Sequence, residues 1–230
     1  KNVEWMVEMA IQKHVHLDFH LDYNLDPNQE PMVWFVLKTL KGKRWNERNP
    51  GKTIVLGHCT RLSLFSDQEW KKLAEQIGDL PVSFVGLPTS DLFMMRTPER
   101  TRGTLPIPSM IKDYGLNACI GVNNIGNAFT PQGSCDPLSL ACSCIGVYSA
   151  GTKEDAEVLY ECVSTRAREA IGLGRGDKRV DTEIREGDEA DLLLFGSEKH
   201  AWRTRREVSE AVYLYDHCKR TLISGGRHVD

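Results

Sequence analysis

The sequence has no basic surplus. Its 29 lysines and arginines are outnumbered by 32 aspartates and glutamates, giving a formal net charge of −3. The electrostatic footprint of a general nucleic-acid binder is therefore missing, and no nucleic-acid partner is expected. No apolar run approaches the ~20 residues that cross a bilayer, and no basic leader precedes an apolar stretch, so no membrane partner is expected either. The seven cysteines, Cys59, Cys119, Cys135, Cys142, Cys144, Cys162 and Cys218, form no Cys-x-x-Cys pair and no even framework. That argues against a disulfide scaffold and a thiolate zinc cluster. Cys142-Ser-Cys144 lies in an apolar helical run and reads as two small core residues. Free, mostly buried thiols suit a reducing compartment, and a cytoplasmic protein is expected. An initiating methionine is also missing: the chain starts at Lys1, as a processed or partial chain would.

What the chain does have is a regular alternation of helix and strand signals. Val3, Met6, Val7 and Ala10 recur at helical spacing, and Val15 to Phe19 reads as a short strand. Val33, Val36, Leu37 and Leu40 mark a second helix; residues 42–52 read as a solvated connection into a strand from Thr53 to Leu56. Ser66 with Glu69 has the capping-box spacing, and Pro81 stops that helix before a strand from Val82 to Leu87. Residues 88–107 read as a long loop, followed by a short helix near Ser109 to Tyr114 and a strand from Asn117 to Val122. A long helix from Asp136 to Tyr148 follows, then one capped by Thr152 and Asp155 and running to Ile171. Four β-loop-α units with buried-looking strands indicate an α/β parallel sheet, open or closed into a barrel.

Gly172-x-Gly174-x-Gly176 follows a helix rather than a strand, so it reads as a loop and not as a dinucleotide fingerprint. Beyond residue 174 the texture changes. Arg175 to Glu189 is charged, Ala190 to Phe195 is a compact strand, and Ala211 to Tyr215 and Thr221 to Ser224 read as further strands before Gly225-Gly226. The division is thus 1–174 and 175–230, the second part too small to fold alone.

In a parallel α/β barrel, chemistry sits at the C-terminal ends of strands. Four places qualify: Asp18 to Asn24, Gly57 to Thr60, Leu87 to Asp91, and Gly121 to Asn124. Two of them carry a histidine, His20 and His58, and imidazole is a common ligand of catalytic metals. A lone histidine is more often a surface or hydrogen-bonded residue; two at consecutive strand ends strengthen the functional reading. His14 and His16 flank a strand start and read as structural, while His200, His217 and His228 have no evident partner.

Three passages carry a resemblance: Asp18-Phe19-His20-Leu21-Asp22, Gly57-His58-Cys59-Thr60, and Gly121-Val122-Asn123-Asn124 with Phe129-Thr130-Pro131-Gln132-Gly133 after it. With the tail Arg185 to Phe195, the chain resembles the amidohydrolase superfamily, and within it the cytosine deaminase-like metal-dependent hydrolases. The resemblance implies the C-terminal half of a (β/α)8 TIM-type barrel, strands five to eight, plus part of a small composite β-domain. It places His20 and His58 on metal-site histidines and Asn123 on the strand-eight metal position. Asn124 and Phe129 fall on substrate-contacting positions, and Tyr23 on a proton-shuttling glutamate. It implies a divalent metal (zinc or iron), a small heterocyclic substrate, a missing N-terminal barrel half, and a homo-oligomer.

The chain departs from that pattern where the chemistry needs a carboxylate. Asparagine has no basic site at neutral pH, and an ordinary tyrosine, with a pKa of about 10, stays protonated. Asp22, Asp26 and Asp91 are the carboxylates near strand ends that could substitute, which makes His58, Asp22, Asp91 and Tyr23 the catalytic candidates. Three readings stay open: a C–N hydrolase of non-standard base, a degenerate amidohydrolase that binds a ligand or protein, and an architectural likeness alone.

Overall fold

The computed structural model describes residues 1–174, 183–188, 190–196, 206–216 and 219–229. Four parallel strands, β1 (Leu17–Leu21), β2 (Ile54–His58), β3 (Val82–Gly86) and β4 (Ala118–Ile120), lie side by side in chain order. Their register fixes two faces. Phe19, Leu56, Phe84 and Ala118 lie abreast in one row and are all buried. They join one core with residues of α1 (Asn2–Lys13), α2 (Val33–Gly42) and α4 (Asp67–Ile77). The alternate residues Asp18, Val55 and Ser83, then His20, Gly57 and Val85, form the opposite face. There Asp18 and His20 are exposed, and a depression of about 340 Å³ runs along Asp18, His20, Val55, Gly57, Val85 and Asn123.

Several expected boundaries move, each for a physical reason. The first strand sits two residues later than its apolar pattern suggests, because α1 ends in a left-handed His14 and Val15 N–H still bonds back to Ala10. Within the connection 42–52, a short helix α3 (Trp45–Arg48) forms because Trp45 is wholly buried and its Nε1–H reaches Lys52 C=O. The expected loop 88–107 opens with α5 (Pro88–Met94), where Pro88 occupies a first-turn position that lacks an amide requirement. The short helix that follows is α6 (Ile107–Lys112). Asp136 caps α7 (Pro137–Tyr148) through Leu138 N–H. The Thr152–Asp155 capping box opens α8 (Lys153–Cys162), but the chain breaks at Ser164 before α9 (Thr165–Ala170).

The C-terminal segment forms an antiparallel sheet of β5 (Leu192–Gly196), β6 (Lys219–Ser224) and β7 (Arg227–Val229). Gly225 and Gly226, both at positive φ, make the two-residue turn between the last two. The strand expected over Ala211 to Tyr215 is instead helix α10 (Val208–Tyr213), whose Ala211 and Val212 are buried. Packing on α7 and α8 overrides the local β pattern there. Arg220 on β6 grips both carboxylate oxygens of Asp136, tying the small sheet to the start of α7.

Six cysteines are free thiols, four of them buried, including Cys144. Cys218, His200, His217, Gly176 and most of the charged stretch after Gly174 lie outside the described residues. No helix among the described residues is long and apolar enough to cross a membrane.

Candidate active site

The strand ends share an unusual backbone. Asp22, His58, Cys59 and Asn123 all have positive φ (52°, 65°, 47° and 64°), a conformation that costs energy in non-glycine residues and concentrates at functional sites. In register, His58 pairs with Leu21 and alternates with the buried Ile54 and Leu56. Strict pleating would send its side chain among the helices. At this left-handed strand end the ring lies against that of His20, 5.3 Å between centroids and edge-on. Tyr23 covers the same ring at 4.1 Å. Gly57 makes room for His20, since a Cβ there would stand 3.2 Å from His20 Cδ2.

Behind His58 stands a buried carboxylate. His58 Nδ1 is 2.9 Å from Asp91 Oδ1, and Asp91, on α5, is inaccessible to solvent. The other oxygen, Oδ2, accepts from Leu87 N–H at 3.2 Å and from the Thr104 hydroxyl at 3.0 Å. Burial pushes the Asp91 carboxyl above its ordinary range, against the pull of His58, Thr104 and Leu87. His58 Nε2 makes no hydrogen bond among the described residues. Asn123 Nδ2 donates to Ser90 Oγ at 2.9 Å. Burial pushes the Tyr23 phenol up and Asp91 adds to the push, while the Ser90 hydroxyl opposes it. Tyr23 is thus held further from the phenolate that would act as a base.

His20, His58, Tyr23, Asp91 and Asn123 therefore gather at one mouth of the sheet. Asp22 faces elsewhere. Its two oxygens accept Met32 N–H (2.6 Å) and Val33 N–H (3.0 Å), satisfying the amides that open α2. Its carboxyl is raised by burial and lowered by those amides. Asn124 and Phe129 lie in the loop after β4, where Asn127 receives Phe129 N–H and donates to Asn124 Oδ1. Among the described residues neither makes a hydrogen bond or ring contact with His20, His58 or Tyr23, and Phe129 is largely exposed. His14 and His16 bond Asn49 and Thr53 at the opposite end of the strands, as structural residues do.

Two members of the site escape a sequence reading. Ser90 sits in the Leu87 to Asp91 strand end but has no chemistry of its own to flag it. Thr104 lies thirteen residues beyond Asp91, in a segment with no motif.

A divalent metal needs three or more well-placed donors. Among the described residues no group of three His, Cys, Asp or Glu could hold one. With Nδ1 on Asp91 and the Asn123 amide nitrogen on Ser90, His58 Nε2 and the Asn123 carbonyl oxygen stay open among the described residues, but with His20 they make two neutral imidazoles and an amide, with no carboxylate among them. The donor set of this chain by itself does not fit a resident metal.

No family model matches the chain, and no curated protein matches it. Solved structures do. Over the whole chain it superposes on 5-methylcytosine deaminase from Klebsiella pneumoniae liganded with 5-fluorocytosine, with TM-score 0.77 at 17% identity, covering 51% of that chain. Over 99% of its length it superposes on N-isopropylammelide isopropylaminohydrolase from Burkholderia multivorans, with TM-score 0.72 at 20% identity, covering 50% of that chain. An adenosine deaminase from Xanthomonas campestris with bound zinc gives TM-score 0.60 at 15% identity over 99% of this chain and 48% of its own. The chain thus spans about half the length of the proteins it matches, and at these identities the likeness carries the fold alone: four parallel β/α units, half of a TIM-type barrel, followed by a small β element.

Proposed function

We propose that this chain supplies the C-terminal half of an amidohydrolase-like active site that hydrolyses a C–N bond in a small heterocyclic substrate. The observation that carries the reading is the buried Asp91–His58 hydrogen bond at a mouth shared with His20, Tyr23 and Asn123. In the chemistry this supports, His58 Nε2 takes a proton from the attacking water and returns it to the departing nitrogen. Asp91 holds Nδ1–H and stabilises the imidazolium that forms between the two transfers. The deaminase and aminohydrolase activities of the superposed structures support a C–N bond as the target.

The open face of the sheet, with β1 and β4 each paired on one side only, calls for a companion half carrying four more strands. We assign residues 1–174 to the barrel and 175–230 to the smaller β element, with α10 as the part docked on the barrel helices.

A second reading has its own support. Tyr23 and Asn123 stand where the family pattern has carboxylates, and the Asn123 amide is engaged by Ser90. On that reading the mouth binds a heterocycle without turning it over. Ammonia release from a panel of amino-substituted heterocycles by the full-length protein separates the two. Release supports the hydrolase. Binding that raises the melting temperature with no release supports the binding module.

A further inference from the structure

We infer that Asp91 sets the tautomer of His58, so that the ring offers an unprotonated Nε2 to the mouth and selects ligands that donate a hydrogen bond there. This rests on the reading of the mouth as a small-molecule site, but the tautomer itself can be measured without it.

Three hydrogen-bonding groups meet the Asp91 carboxyl. Oδ2 already accepts two donors, Leu87 N–H and the Thr104 hydroxyl. Oδ1 faces His58 Nδ1 at 2.9 Å. With the carboxyl ionised there is no proton on Oδ1 to give, and Nδ1 is the donor; a protonated Asp91 would donate instead and reverse the tautomer. In a neutral imidazole the proton on Nδ1 leaves Nε2 as a lone-pair acceptor. Nε2 makes no hydrogen bond among the described residues, so it is this nitrogen that meets whatever enters. The ring cannot turn freely to offer the other nitrogen, because Tyr23 packs against its face and His20 against its edge. The ligand class is therefore a ring bearing an N–H, such as a lactam or amidine, or a water molecule. A ring presenting only a lone pair at that point would meet another lone pair.

The same count says what an amide at position 91 would do. Leu87 N–H and Thr104 would still need an acceptor, so the Asn oxygen would take the place of Oδ2. Its NH2 would then face His58 Nδ1 and force that nitrogen to accept. The proton would move to Nε2, and the mouth would change from acceptor to donor with almost no change in shape.

The test is ¹⁵N NMR of histidine-labelled full-length protein, above the pH range of imidazole ionisation, with His58→Gln identifying the His58 signals. The parent should show His58 protonated on Nδ1, and Asp91→Asn should show it protonated on Nε2. Ligand affinities should follow, the parent favouring an N–H-bearing pyrimidinone over its N-methyl counterpart by roughly tenfold or more, and Asp91→Asn losing that preference. A parent protonated on Nε2 overturns the inference, and that spectrum needs no variant to fold. An unchanged tautomer in a folded Asp91→Asn overturns it as well. Nδ1 protonation in a protein that releases no ammonia from any heterocycle supports the tautomer assignment while sinking the hydrolase reading.

Discussion

Asp91 Oδ1 and His58 Nδ1 are 2.9 Å apart, brought together from two successive β/α units, with the carboxylate wholly buried and the imidazole at the edge of an open mouth. Three hydrogen bonds converge on that one carboxyl group. Replacing Asp91 with Ala strands all three partners in a dry site, and the expected cost is about 2–4 kcal/mol of stability. Urea unfolding of the parent and variant checks it; a loss below about 0.5 kcal/mol would mean that water reaches the site and replaces the carboxylate.

Asp22 should behave in the opposite way, as a structural carboxylate. Both of its oxygens bond the amides that open α2. Asp22→Ala is expected to cost about 1–2 kcal/mol, as lost helix caps do, and to leave turnover per folded molecule within about threefold. A stable Asp22→Ala protein with turnover reduced a hundredfold would return Asp22 to the catalytic set.

Gly57 gives a way to disturb His20 without touching it. A Cβ there stands 3.2 Å from the His20 ring, closer than side chains normally sit. Gly57→Val should displace that ring and lower ligand affinity, while Gly57→Ala should have a smaller effect in the same direction. Thermal-shift titration with the best ligand of the panel reads both, and equal affinities across the three proteins would show that His20 takes no part in binding.

The contact between Asp136 and Arg220 predicts a pH dependence. The Arg220 guanidinium holds the Asp136 carboxyl below its usual range against the push of burial, with help from the Leu138 amide. A carboxylate with a depressed folded pKa adds stability above its unfolded value, and that stability fades as pH falls through the folded one. Asp136→Asn should thus melt lower than the parent at neutral pH, with the gap closing below about pH 4. A gap that stays constant to lower pH would mean the pair adds nothing beyond the helix cap.

Much of the fold was legible because periodicity and caps are local signals. The Ser66–Glu69 and Thr152–Asp155 boxes appear as expected, and the four parallel strands fall in the expected order. The misreadings are tertiary. Trp45 turns a charged connection into a helix by burying itself, and Ala211 and Val212 make a helix of a strand-like run because α7 and α8 receive them. The site divides in the same way. That His20, His58, Tyr23, Asn123 and Asp91 gather at one end of the sheet is legible because strand ends lie together in a parallel sheet. That the Asp22 oxygens face two amides is a contact a sequence cannot show. Ser90 and Thr104 were missed because their roles exist only through the residues they touch.

Ammonia release by full-length protein, compared between the parent and His58→Gln on the best heterocyclic amine of the panel, bears on the proposed chemistry more closely than any other measurement. Loss of a general acid–base group lowers rates by about 10²–10⁴-fold, and a drop of that size is expected, with the fold and ligand binding retained. Release that continues at the parental rate in a folded His58→Gln protein would contradict the assignment of His58 and, with it, the Asp91–His58 pair as the working part of the site.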